Sequence, residues 1–187
     1  MPEQQAEHLG GGLGLITGVH GSPRLYTTVH NLLVTLVTVR FRRNAERMEL
    51  GDSPDPVPSW IPVSGHALRH VGIHFDAVRA IGMLGEEIAY EVMQFTDFQA
   101  GPIVRSGIGE RSMYFLLAPG TAAGYRWPPG VEAMSRRAGV DAFVGVPALE
   151  GVTWPLDWRS RPTAEDPFVD AALLHAMAWL RAQEGAR

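Results

Sequence analysis

The 187-residue chain contains no cysteine, which removes disulfides, thiolate nucleophiles, zinc ribbons and iron–sulfur clusters from consideration. It also contains no lysine: all 16 basic residues are arginine. Without lysine there is no P-loop cation, no Schiff base and no anchor for pyridoxal phosphate. Charged residues make up 19% of the chain, below the level of about 25% usual in globular proteins. The formal net charge is -4, so no molecule-wide positive field draws in nucleic acid or an acidic membrane. Long apolar runs are missing as well. The most apolar stretch, Val29 to Phe41, is too short to span a bilayer and carries His30, Asn31 and Arg40. Met1 to Leu9 holds Glu3, Glu7 and His8 with no basic n-region, unlike a signal peptide. A cytoplasmic protein with no membrane partner is the expectation.

What is present is 45% hydrophobic, with 21 Gly and 14 Pro, a loop-rich globular composition. At roughly 100–200 residues per domain, the length suits one domain with a real core. Residues 1–23 hold Gly10, Gly11, Gly12, Gly14, Gly18 and Gly21 and read as a flexible entry segment. The spacing of these glycines does not match a dinucleotide fingerprint. Residues 24–187 read as a single α/β domain. Within it, Pro54, Pro56, Pro58 and Pro62 make 51–62 a rigid extended connector, with Trp60 and Ile61 tacking it to the core.

Periodicity supplies the elements. The β-branched run from Tyr26 to Phe41 predicts one long strand, or two joined near His30 and Asn31. From His70 to Arg79, Val71, Ile73, Phe75 and Ala77 alternate with His70, Gly72, His74, Asp76 and Val78, which predicts a strand. After a turn at Gly82 and Gly85, Leu84, Ile88, Val92 and Phe95 recur at helical spacing, with Glu86 and Glu87 in the first turn. Strands follow at 111–118 and 141–146, ended by Pro119-Gly120 and Pro147, with a turn at Trp127-Pro128-Pro129-Gly130 between them. Trp154 and Trp158 flank a loop folded back over the sheet edge, where stacking on bases is a further use for their rings. Asp166 as N-cap and Pro167 in the first turn open a closing helix. Its apolar stripe is Val169, Ala172, Leu173, Ala176, Met177 and Leu180. The expected fold is α+β: a mixed, largely antiparallel sheet with helices packed on it.

Three constellations bear on chemistry. His70, His74 and Asp76 on one strand face are the residue types that hold a divalent metal, although neighbours on one face stand roughly 6.5–7 Å apart. No G-x-S-x-G nucleophile elbow is present, and paired carboxylates are not evident. Arg40, Arg42, Arg43 and Arg47 cluster after the first strand, as a solvated strand end or a phosphate contact.

Two stretches in order, Ser106-Gly107-Ile108-Gly109-Glu110-Arg111-Ser112-Met113-Tyr114-Phe115 and Asp141-Ala142-Phe143-Val144-Gly145-Val146-Pro147 with Gly151-Val152-Thr153-Trp154 behind it, together resemble the N-terminal domain of bifunctional DNA primase–polymerases. The first is similar to that family's Gly-rich turn and H-x-Y-F strand, and the second to its strand ending in proline before a Gly/Trp loop. His74-Phe75-Asp76 falls where the family carries its first metal-binding carboxylates. The likeness spans about residues 70–158.

The resemblance implies a nucleotide- or nucleic-acid-binding fold without the polymerase chemistry. The family's phosphate-holding histidine is replaced by Ser112, its D-x-D pair maps onto His74 and Asp76, and Asp141 matches its third acid only with a shortened spacing to Pro147. Two-metal phosphoryl transfer requires clustered carboxylates. The expected ligand cleft is therefore lined by His74, Asp76, Arg79, Arg111, Ser112 and Asp141, with the arginines on phosphate. Two alternatives stand beside it. One is a single-metal enzyme acting on a small metabolite through His70, His74 and Asp76. The other is a homodimeric regulatory protein pairing through the 29–41 strand as an exposed edge.

Overall fold

A computed structural model describes residues 57–136 and 141–185, all of them within the unit that runs from Asn44 to Arg187. The entry segment 1–23, the 29–41 strand with its proposed dimer edge, the arginine cluster at 40–47 and the first half of the 51–62 connector lie outside the described residues.

The expected α+β class is what the chain adopts, with its strands in two antiparallel sheets rather than one. The described strands are β1 (His66–His70), β2 (Asp76–Ile81), β3 (Ile103–Ser106), β4 (Ser112–Leu117), β5 (Val131–Met134), β6 (Phe143–Pro147) and β7 (Leu156–Ser160). Among the described residues two helices, α1 (Gly82–Phe95) and α2 (Ala171–Glu184), and one 3-10 turn at Ala122–Gly124 complete the elements. Five strands form one sheet in the order β5-β2-β4-β3-β7, and β1 pairs with β6 in a second. Among the described residues no helix is long and apolar enough to cross a membrane.

Alternation along β4 sends its residues to two cores. Leu116 joins Ala77, Val104, Trp60, Phe75, Val144, Val146 and Leu156 in the layer between the two sheets. Met113, of the opposite parity, reaches Gly85 of α1. That helix packs on β2, β4 and α2 through Ile88, Ala89, Val92 and Met93, spaced to fall on one face. Trp60 and Ile61 are buried, and Trp60 meets Phe75 edge-on at 5.3 Å, so the end of the connector is pinned as expected.

Four expectations are corrected. First, residues 70–79 are not one strand. A turn over 71–74 separates β1 from β2, with Gly72 at φ +83° and its N–H donating to the Phe75 carbonyl at 2.7 Å. The two halves then enter different sheets. Second, Gly82 and Gly85 belong to the first turn of α1, so Glu86 and Glu87 fall beyond it. Third, 156–160 is an edge strand and not a loop. Trp158 lies in it, donating to the Ala148 carbonyl at 3.1 Å and packing near Trp60, while Trp154 is 81% exposed. Fourth, the N-cap of α2 is Asp170, whose Oδ1 accepts from Leu173 N at 2.8 Å. Val169 N is still bonded to the Leu116 carbonyl, which holds the preceding backbone extended and postpones the helix.

Candidate functional site

The break at Gly72 redistributes the expected cleft. His70 stays in the two-stranded sheet, where it is opposite Phe143 and meets that ring edge-on at 5.0 Å. Its Nδ1 faces the Val71 carbonyl at 2.7 Å and its Nε2 faces Asp141 Oδ1 at 2.8 Å. Two acceptors on two ring nitrogens favour the imidazolium. The bond to Asp141 is the main cause that raises the His70 pKa above its ordinary 6.5, while the Arg136 charge works against it. His74 is exposed in the turn.

Asp76, by contrast, is buried at the start of β2. No three His, Asp or Glu side chains among the described residues are grouped to hold a metal ion, so His70, His74 and Asp76 do not form the metal site their spacing suggested. The physical reason is the turn. It ends the alternation that would have put all three on one face and sends His70 and Asp76 to different sheets.

Arg79 lies three residues beyond Asp76 on the same strand and so projects from the opposite face. Its Nε and Nη2 both donate to Ser112 Oγ at 3.4 Å. Its Nη1 stands 4.0 Å from Glu132, and the guanidinium lies 6.0 Å from the Tyr114 ring centroid. Ser112 Oγ in turn donates to the Glu110 carbonyl at 3.1 Å. Arg111 points elsewhere, 3.6 Å from Glu86 on α1. The structure thus brings Arg79 to Ser112 and His70 to Asp141, and separates both pairs and Arg111 from Asp76.

Asp76 has its own surroundings. One carboxylate oxygen, Oδ2, accepts from the Ala122 N–H at 3.0 Å, which fixes the 3-10 turn against β2. The other, Oδ1, is buried with no hydrogen-bond partner. The group lines a cavity of about 430 Å3 together with Gly72, Gly120, Ala123, Gly124, Ser135 and Arg136. Buried carboxylate oxygens ordinarily find donors, and Oδ1 of Asp76 has none. Arg136 also lines this cavity.

Of these residues, only Asp76 was an expected site residue. Gly120 was legible as a turn glycine, whereas Gly72 was read as part of a strand, and nothing in their spacing tied either to Asp76. Ser135 and Arg136 carry no local signal beyond following a short strand. Only the pairing of β2 with β5, which puts Ala77 opposite Met134, carries them to the carboxylate. Fold and site together define an α+β domain with a polar, glycine-walled pocket around a buried acid. No protein-family model, curated protein or solved structure matches the chain.

Proposed function

We propose that the chain is a nucleotide- or nucleic-acid-binding protein without phosphoryl-transfer chemistry, a reduced relative of the primase–polymerase N-terminal domain. One observation carries this reading: Asp76, buried with one carboxylate oxygen unpartnered, lines a cavity that Arg136 also lines. An acceptor and a cation in one hollow suit a ligand with hydroxyl or amino donors and a phosphate. The volume falls within the range of roughly 300–1,000 Å3 typical of small-molecule sites. Among the described residues Asp76 is the one acid lining the cavity, whereas two-metal transfer needs several, and the reading is accordingly binding rather than catalysis.

The test is a thermal-shift and titration series with nucleotides and short oligonucleotides at low and high salt. A ligand that binds only the native state raises the melting temperature, and phosphate contacts must weaken as salt rises. No shift with any nucleotide or oligonucleotide would overturn the reading, as would affinity that is indifferent to salt.

A further inference from the structure

We infer that His70 is a proton-operated latch on the 71–74 turn: the imidazolium clamps the turn to the segment leading into β6, and loss of one proton releases it. The two ring nitrogens face two acceptors, the Val71 carbonyl at 2.7 Å and Asp141 Oδ1 at 2.8 Å. Only an imidazolium carries an N–H on both nitrogens, so only the charged ring satisfies both contacts. A neutral ring has one N–H. That proton stays on Nε2, because the ionised carboxylate is the stronger acceptor. Nδ1 then turns a lone pair on the Val71 carbonyl oxygen at hydrogen-bond distance, and the two must part.

The Val71–Gly72 peptide is the part that yields. Its carbonyl is held by His70, and its N–H, that of Gly72, donates to the Phe75 carbonyl at 2.7 Å, so one rigid plane carries both bonds. Gly72 lacks a side chain to resist rotation of that plane. The ring is fixed from its other side, edge-on to Phe143 at 5.0 Å, and the Val71 N–H ties the end of β1 to the Ala142 carbonyl at 2.9 Å. Gly72 also abuts the tail of β5, where a Cβ added to it would lie 2.2 Å from the Arg136 Cβ. A turn that shifts there moves the wall of the cavity that Gly72 and Arg136 both line. Proton release at His70 is thus read out at the cavity wall, whichever ligand the cavity takes, as in other switches worked by a histidine charge.

Among the described residues, the charged groups that act on the ring are Asp141, which favours the imidazolium, and Arg136, which opposes it. On β1 itself, Arg69 projects from the opposite face and donates to the Trp60 carbonyl at 2.7 Å. His66 shares the face of His70, and His74 is exposed in the turn. These two histidines are the controls.

The experiment is NMR of the full chain from pH 5 to 9. Long-range proton–nitrogen spectra follow the protonation of Nδ1 and Nε2 of His70. Amide exchange, corrected for its intrinsic dependence on pH, gives a protection factor for Gly72. The expected result is protons on both nitrogens below the midpoint, a proton on Nε2 alone above it, and at least fivefold lower protection of Gly72 in the second state. Protection of Leu174, whose N–H bonds to the Asp170 carbonyl in α2, should not change. His70→Gln should abolish the pH dependence at Gly72, whereas His66→Gln and His74→Gln should keep it. Asp141→Asn should move the midpoint to lower pH.

Constant protection of Gly72 while the ring titrates would overturn the inference, as would a ring that keeps one protonation state across the whole range. Neither arm needs a variant to fold. A fall in protection that survives His70→Gln would overturn it as well, and none of these outcomes bears on nucleotide binding.

Discussion

The Asp76 carboxylate reaches across to the Ala122 amide, 46 residues away in sequence, and holds it at 3.0 Å. This one bond ties the start of β2 to the 3-10 turn and leaves the second carboxylate oxygen buried without a partner. Structure and proposed binding therefore draw on different oxygens of the same side chain.

That division predicts unequal effects of two substitutions. Asp76→Ala leaves the buried Ala122 N–H without its acceptor, which costs roughly 1–3 kcal/mol. Asp76→Asn keeps an oxygen for Ala122 and removes a buried charge whose other oxygen has no partner. Its stability should stay within about 1 kcal/mol of the parent or exceed it, since unpaired buried charge is unfavourable. Urea unfolding of the three proteins measures the difference. If asparagine proves as damaging as alanine, the second oxygen also serves the fold.

Gly72 and Gly65 both sit at positive φ, +83° and +62°, and differ in what surrounds them. A Cβ at Gly65 meets nothing within 4 Å, whereas one at Gly72 collides with Arg136 Cβ and backbone. Gly65→Ala should therefore cost only the left-handed backbone penalty, roughly 1–2 kcal/mol. Gly72→Ala should cost that penalty plus the displacement of residues 135 and 136, on the order of a further 1–3 kcal/mol. Ligand-induced thermal shifts should fall for Gly72→Ala alone, because only that change moves the pocket wall. Equal losses at the two positions would mean that the 135–136 backbone yields freely.

The same turn explains what was legible in the sequence. Val71, Ile73 and Phe75 keep the two-residue apolar rhythm straight through it, yet Val71 and Phe75 are buried while Ile73 is 51% exposed. A turn that tucks its two ends inward imitates strand alternation, and only the positive φ at Gly72 distinguishes them. β4, α1 and α2 were legible because their apolar patterns are long, and β6 because Pro147 marks its end. β3, β5 and β7 have four or five residues each, and their partners, not their own pattern, make them strands. The pocket was beyond reach for the same reason, since its residues come from the 71–74 turn, the start of β2, the 120–124 segment and the tail of β5. Only sheet register unites them.

Asp170 offers a test of the helix boundary. Its Oδ1 accepts from Leu173 N at 2.8 Å, and loss of such an N-cap costs roughly 0.5–2 kcal/mol. Asp170→Ala should fall in that range, and Asp170→Asn, which retains a side-chain oxygen, should recover most of the loss. Chemical denaturation with helical ellipticity as readout separates them. A neutral Asp170→Ala would mean that packing of Leu173, Leu174 and Met177 fixes the start of α2 without help from the cap.

The final prediction concerns pH and the pair of His70 with Asp141. The folded-state pKa of His70 is raised above 6.5, chiefly by the hydrogen bond to Asp141 and then by the Val71 carbonyl, with Arg136 opposing. A histidine whose pKa rises on folding stabilises the native state when charged. Its contribution is fully present below pH 6.5 and is lost as pH climbs through the raised folded value. Asp141→Asn removes the carboxylate charge and the largest of these causes. The parent should therefore be more stable than the variant at pH 5.5, and the gap should close as pH rises through the raised folded value. Both partners lie at the surface, so added salt should shrink the gap at low pH. Melting temperatures of the two proteins across pH 5–9, at low and high ionic strength, measure this directly. A gap that widens with rising pH would reverse the sign of the coupling and show that the His70 imidazole is held neutral in the folded chain.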